Sequence, residues 1–252
     1  MGKLKLTGCI MLLILCGDNI ALAGDACNLK QAVIRLGYDG AYILTAPLRM
    51  DSSDVKKFLL FSGVTYGLMS VDKRINEKAV KLEYDKISAI VEPTGGLIQS
   101  MGVVCLSGLV LRDNRWQKTT LLIAEAALLN ASVDGLLKKS FGRSRPFESA
   151  GNATDFHPFS SHNSFPSGHT STAFTVAQVI SNQYPSPWVK ISAYTFASLV
   201  GIQRLNANVH YTSDVFAGAM LGMWVGNTIC TLDKHWEKGD IQFSFDGLRV
   251  KF

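Results

Sequence analysis

The chain has 252 residues, 47% of them hydrophobic, and sets 25 Lys plus Arg against 20 Asp plus Glu with no long basic run. That length buries a substantial core in one domain, and an unclustered formal charge of +5 leaves no electrostatic footprint for nucleic acid.

Residues 1–23 read as an export signal. Lys3 and Lys5 supply the charged start, Ile10 to Leu15 the apolar middle, and Ala21-Leu22-Ala23 a small-residue cleavage site. The mature chain would then begin at Gly24 and sit in the bacterial periplasm; an uncleaved membrane anchor and lipid attachment at Cys16 are the alternatives. Export removes Cys9 and Cys16 and leaves Cys27, Cys105 and Cys230, an odd number that gives no complete disulfide framework. Cys105 and Cys230 sit in apolar runs, where a thiol packs as a small hydrophobe.

Residues 24–50 read as an N-terminal leader. Beyond it apolar residues recur with helical spacing and predict helices at about 52–70, 73–90, 96–111, 117–141, 168–182, 187–203 and 213–230. The fold class is therefore all-α, a helical bundle over 51–235. The tail, 236–252, alternates apolar and polar residues on both sides of Asp246-Gly247 and predicts a short C-terminal β-hairpin. The uncharged stretches 93–111 and 215–232 approach the length of a membrane span, but they contain Gln99, Ser100, Ser107 and Asn227. The two helices between Thr170 and Gln203 would each be about 23 Å long, short of a hydrocarbon core of about 30 Å. A soluble or peripherally attached protein is expected.

Three stretches carry chemistry. "KKSFGRSRP" places Lys138 and Arg145 where a helix gives way to a loop. "NSFPSGHTST" reads as a helix start: Pro166 ends the preceding segment, Ser167 is a good N-cap, and Gly168 lets other groups approach the backbone. Such a start offers unpaired N–H groups and the positive end of a dipole to an anion, with His169 alongside. "QRLNANVHYTSD" supplies Arg204, His210 and Asp214, the last two one helical turn apart.

Singly, each has a plain structural reading: cations complementing a helix C-terminus, a structural histidine, an acidic residue in a first turn. Together they resemble the tripartite signature of the type 2 phosphatidic acid phosphatases, bacterial class A acid phosphatases and vanadium haloperoxidases. One position departs from it, since Gln203 stands where those proteins usually have a serine. The resemblance implies a phosphate cradle of Lys138, Arg145, Arg204, the Ser167 hydroxyl and the Gly168 amide. It also implies His210 as nucleophile oriented by Asp214, and His169 as the acid that protonates the leaving oxygen and then activates water. No metal and no other cofactor is called for. The expected substrate is a phosphorylated lipid or a small soluble phosphoester, including a pyrophosphate. Vanadate-dependent halide oxidation and non-catalytic phosphate binding are the alternative functions.

Asn130, Asp134 and Lys138 recur every four residues and share a helix face, so Asp134 either steadies Lys138 in the site or makes an ordinary helical ion pair. Arg143 either extends the positive mouth of the site or faces solvent, and the solvent-facing reading is preferred. The long loop 147–165 joins two motifs and should cover the entrance, with Phe156, Phe159 and Phe165 lining it or pinning the loop. His157 and His162 are read as loop contacts rather than metal ligands.

Overall fold

In the computed structural model, the described residues are 29–79, 107, 113–149, 151–244 and 247–250. The proposed signal segment, Cys27, Cys105 and all but one residue of the helix expected at 96–111 lie outside them. Seven α-helices occur among the described residues: α1 (Leu29–Leu44), α2 (Ser52–Met69), α3 (Asp72–Ala79), α4 (Asn114–Phe141), α5 (Gly168–Gln183), α6 (Pro187–Asn206) and α7 (Thr212–Lys238). A 3-10 turn at Ala46–Arg49 follows α1. Two short strands, β1 (Ile241–Ser244) and β2 (Gly247–Val250), pair antiparallel.

Helix α1 falls in the stretch read as a leader, where Gly37 and Gly40 interrupt the helical pattern. Tertiary packing overrides that weak propensity. Ile43 enters the core, Arg35 donates to Asp233 Oδ1 at 3.0 Å, and Trp236 Nε1 donates to Asp39 Oδ1 at 3.1 Å. Helix α4 starts three residues before its expected position because the Asp113 carboxylate accepts from Arg115 N at 2.8 Å. Helix α7 runs eight residues further than expected, to an αL cap at Gly239 (φ 72°).

The main core joins four helices: Ile43 from α1, Leu122, Ile123 and Leu129 from α4, Val179 from α5, and Val225, Ile229 and Cys230 from α7. A second, smaller cluster joins Ala173 and Ala177 of α5 to Ala197 and Val200 of α6. Small residues set the spacing. A Cβ on Gly218 of α7 would lie 2.5 Å from the Ser167 carbonyl oxygen, and one on Gly226 would lie 2.9 Å from the Thr175 carbonyl oxygen. Helices α5 and α7 thus touch backbone to backbone, and this contact brings the start of α5 against the start of α7.

Among the described residues the surface carries many large apolar side chains, although a soluble or peripherally attached protein is expected from the sequence. Helix α2 has no buried residue, yet it carries Phe58, Leu59, Leu60 and Phe61, and Trp188 on α6 is 78% exposed. Helices α4 and α7 are each long and apolar enough to cross a membrane.

Candidate active site

The first motif closes α4. Gly142 (φ 55°) is its αL cap and donates to the Lys138 carbonyl at 2.8 Å, turning the chain sharply into Arg143-Ser144-Arg145. Lys138 projects from the last turn of α4. Its Nζ donates to Asp134 Oδ2 at 2.8 Å, to Asp134 Oδ1 at 3.0 Å and to the Pro166 carbonyl at 2.5 Å. Asp134 therefore holds Lys138 against the second motif. One turn earlier, Asn130 Oδ1 accepts from Ser171 Oγ at 2.5 Å, so the whole Asn130–Asp134–Lys138 face docks on α5.

The second motif reaches α5 through a cis Phe165–Pro166 bond. Ser167 stands at the N-cap, but its side chain does not cap: its hydroxyl is 3.0 Å from Thr170 Oγ1 instead. The first-turn amides are thereby left to an outside anion. Gly168 is required by close approach, since a Cβ there would sit 2.8 Å from Asp134 Oδ2 and 3.2 Å from Lys138 Nζ.

The third motif bridges α6 and α7. Arg204 lies in the last turn of α6, half-buried, with Gln203 buried beside it. His210 is 3% exposed and follows a tight turn in which Asn208 has φ 56°. Asp214 is fully buried in the first turn of α7. Its Oδ2 accepts from Tyr211 N at 2.8 Å and from Ser164 Oγ at 2.6 Å, and it faces His210 Nδ1 at 3.7 Å. That last separation exceeds a hydrogen bond, and unliganded catalytic pairs commonly tighten when substrate binds.

Electrostatics tie the three motifs into one site. His169 keeps an exposed edge. The protein packed around its ring, and then the positive charges of Arg204, His210, Lys138 and Arg145, push its pKa from 6.5 down to about 4. Burial first, and then Lys138 and Arg145, lower the pKa of His210 against the opposing pull of Asp214. Both shifts favour the neutral imidazole. An anion among those cations offsets their share of that lowering, while the share due to burial remains. In an NMR titration of the full-length chain, we expect the His169 midpoint near pH 4 to rise by at least about one unit when inorganic phosphate is added. A midpoint unmoved by phosphate would separate His169 from the cation cluster.

Arg143 corrects the sequence reading. It is fully buried, not solvent-facing. All five of its N–H groups are committed: Nε and Nη2 to the Ala153 carbonyl, Nη1 to Ser213 Oγ at 2.7 Å and Asp214 Oδ1 at 2.5 Å, and Nη2 also to Asp72 Oδ2 at 2.9 Å. Its guanidinium lies 4.4 Å from the Tyr211 ring centroid and 5.3 Å from that of Phe156. Four cations in nine residues gave no sign of which one turns inward. Asp72 and Ser164 carried no sequence signal either.

The loop that follows is fastened to the first motif. Ser144 N donates to the Asp155 carbonyl at 3.0 Å, Ser164 N to the Arg143 carbonyl at 2.9 Å, and Arg145 Nε to Asn163 Oδ1 at 3.0 Å. His157 Nε2 lies 3.0 Å from Asp155 Oδ1, and His162 Nδ1 lies 3.2 Å from Glu148 Oε2. Phe165 is buried edge-on against Phe141, whereas Phe159 is 72% exposed.

The bundle thus sets the positive charges of Lys138, Arg145 and Arg204 around His169, at a helix start whose N-cap side chain makes no cap, with Asp214 behind His210. Residues 119–237 match the sequence model of the PAP2 superfamily. The chain is 39% identical over 120 residues to a lipid A 1-phosphatase of Porphyromonas gingivalis, a match covering 46% of the chain and 24% of that protein. It is 36% identical over 94 residues to the lipid A 1-phosphatase of Rhizobium johnstonii, covering 35% of the chain and 37% of that relative. The chain thus spans well under half the length of these curated relatives. Among solved structures, Aquifex aeolicus LpxE superposes with a TM-score of 0.51 at 22% identity, over 64% of this chain and 95% of that one. A transmembrane PAP2 type phosphatidylglycerolphosphate phosphatase from Bacillus subtilis gives 0.50 at 24%, over 71% and 95%. These two likenesses establish the fold.

Proposed function

We propose that the protein hydrolyses a phosphate monoester on a lipid head group, without a metal ion, through a phosphohistidine intermediate. Lys138, Arg145, Arg204 and the first-turn amides of α5, that of Gly168 included, hold the phosphate oxygens, and they neutralise the charge that spreads over them during transfer. Reorientation of the Ser167 hydroxyl from Thr170 adds a further donor. His210 Nε2 attacks phosphorus, the bond to the leaving oxygen breaks, and His169, which takes up a proton once the bound phosphate offsets the cations around it, supplies the proton that oxygen takes. Asp214 fixes the Nδ1–H tautomer of His210 and stabilises the cationic phospho-imidazole. His169, now neutral, then takes a proton from water as that water attacks the phosphohistidine; the phosphorus–Nε2 bond breaks, inorganic phosphate leaves and His210 returns to the neutral imidazole. The observation that carries this reading is the shared field: His169 and His210 both feel Lys138 and Arg145, with the Asp214 carboxylate behind one of them only.

A lipid substrate is supported by the lipid A 1-phosphatases among the relatives and by the apolar exterior. The same exterior, with two helices of spanning length, favours membrane association over the freely soluble form of the two expected from the sequence, soluble or peripherally attached. Export to the periplasm with cleavage before Gly24 completes the reading, and intact mass of the purified chain tests it. The functional test is release of inorganic phosphate, in the presence of a chelator, from lipid A, phosphatidic acid, phosphatidylglycerol phosphate, undecaprenyl pyrophosphate and a chromogenic monoester in parallel. Release from a lipid monoester above the soluble ester is expected. No release from any of the five would defeat the proposal.

A further inference from the structure

Helix α3 lies outside the segment matched to the PAP2 superfamily, yet one of its faces is buried against the third motif. Asp72, fully buried, accepts from Ser213 N at 2.9 Å through Oδ1, and through Oδ2 it accepts from Arg143 Nη2 at 2.9 Å and from the Ser213 hydroxyl. A carboxylate from one helix thus caps a first-turn amide of another. One turn on, Asn76 Nδ2 donates to Asn208 Oδ1 at 2.8 Å, gripping the left-handed residue two positions before His210.

We infer that α3 is a positioning element for the nucleophile, with Asp72 acting through Arg143 and Ser213 on Asp214, and Asn76 acting through Asn208 on the loop that carries His210. The inference rests on the assignment of His210 as nucleophile made above. Arg143 is one cation between two buried carboxylates. Sharing it with Asp72 leaves the Asp214 Oδ2 edge, the one that faces His210, as a strong acceptor. With Asp72 neutralised, the guanidinium pairs with Asp214 alone and draws its charge away from the imidazole. The buried arrangement also makes the effect directional, because every other donor on Arg143 is already committed to the Ala153 carbonyl or to Ser213. Asp72 and Asn76 touch no substrate, so their influence falls on chemistry rather than on phosphate binding.

The test compares the full-length wild type, Asp72→Asn, Asp214→Asn and the double variant, measuring kcat, KM and inhibition by vanadate on the best lipid monoester. For Asp72→Asn, kcat is expected to fall about 10- to 100-fold while KM and vanadate inhibition stay within about twofold. In the Asp214→Asn background the same change should cost less than about twofold, because the residue it acts through is already gone. Equal losses in both backgrounds, or an unchanged kcat for Asp72→Asn, overturn the inference. Asn76→Ala gives a second reading should Asp72→Asn fold poorly: about a 3- to 10-fold drop in kcat with vanadate inhibition unchanged supports it, and wild-type kcat refutes it. A wild type that releases no phosphate defeats the functional proposal instead. In that case the imidazole ¹⁵N signals of His210 still decide the positioning claim, since they shift in Asp72→Asn only if α3 acts on that ring.

Discussion

His210→Ala is expected to lower turnover by about 10⁴-fold or more and to abolish any acid-labile phosphoenzyme, while phosphate and vanadate still bind within a few-fold of wild type. The separation follows from the layout of the site. His210 is reached from behind by Asp214, whereas the groups proposed to hold the phosphate, Lys138, Arg145, Arg204 and the start of α5, belong to other elements. Rapid-quench labelling with a radioactive phosphate ester, followed by mapping of the labelled histidine, reads the step directly. His169→Ala should also abolish turnover, because neither the leaving oxygen nor the attacking water then has a partner for its proton. A protein without the imidazole at 210 that still accumulates phosphoenzyme would show that another residue is the nucleophile.

Gly168→Ala should be nearly as damaging for a different reason. The added methyl would come within 2.8 Å of Asp134 Oδ2 and 3.2 Å of Lys138 Nζ, so the ion pair that holds Lys138 over the helix start must move. Displacing a phosphate-binding cation by about 1 Å costs on the order of 10²-fold. The loss should appear as a raised KM and weaker vanadate inhibition, with a melting temperature close to wild type, because the crowded atoms are the ends of side chains. Lys138→Ala should likewise weaken phosphate and vanadate binding more than it slows the chemical step. Wild-type KM and vanadate inhibition in Gly168→Ala would mean that Lys138 is not held where the phosphate binds.

The helical class, the start of a helix at Gly168 and the Asn130–Asp134–Lys138 face were legible in the sequence, because each depends on residues within a turn or two of one another. Spacing of three or four, a proline before a serine and a glycine after it act through short-range sterics and hydrogen bonding. The three motifs were legible for the same reason, and their resemblance to a known signature joined them before any coordinate did. Helix α1 was missed because Gly37 and Gly40 weaken its local pattern, and its stability comes from Ile43, Arg35 and Asp39 docking on α4 and α7. The apolar exterior was underestimated because composition counts residues without saying which faces remain uncovered.

What only the tertiary structure decided is which charges point inward. Arg143 and Arg145 are two residues apart in the same turn, and nothing local distinguishes them; Arg143 is buried because Asp72 and Asp214 each wait 71 residues away along the chain. Asp72 in turn meets Ser213 across 141 residues. Burying a guanidinium is favourable only where its donors all find acceptors, and acceptors so distant in the polymer are brought together by packing alone. Local sequence thus wrote the three motifs and the helix ends that carry them, while the folded core selected the cation buried between Asp72 and Asp214.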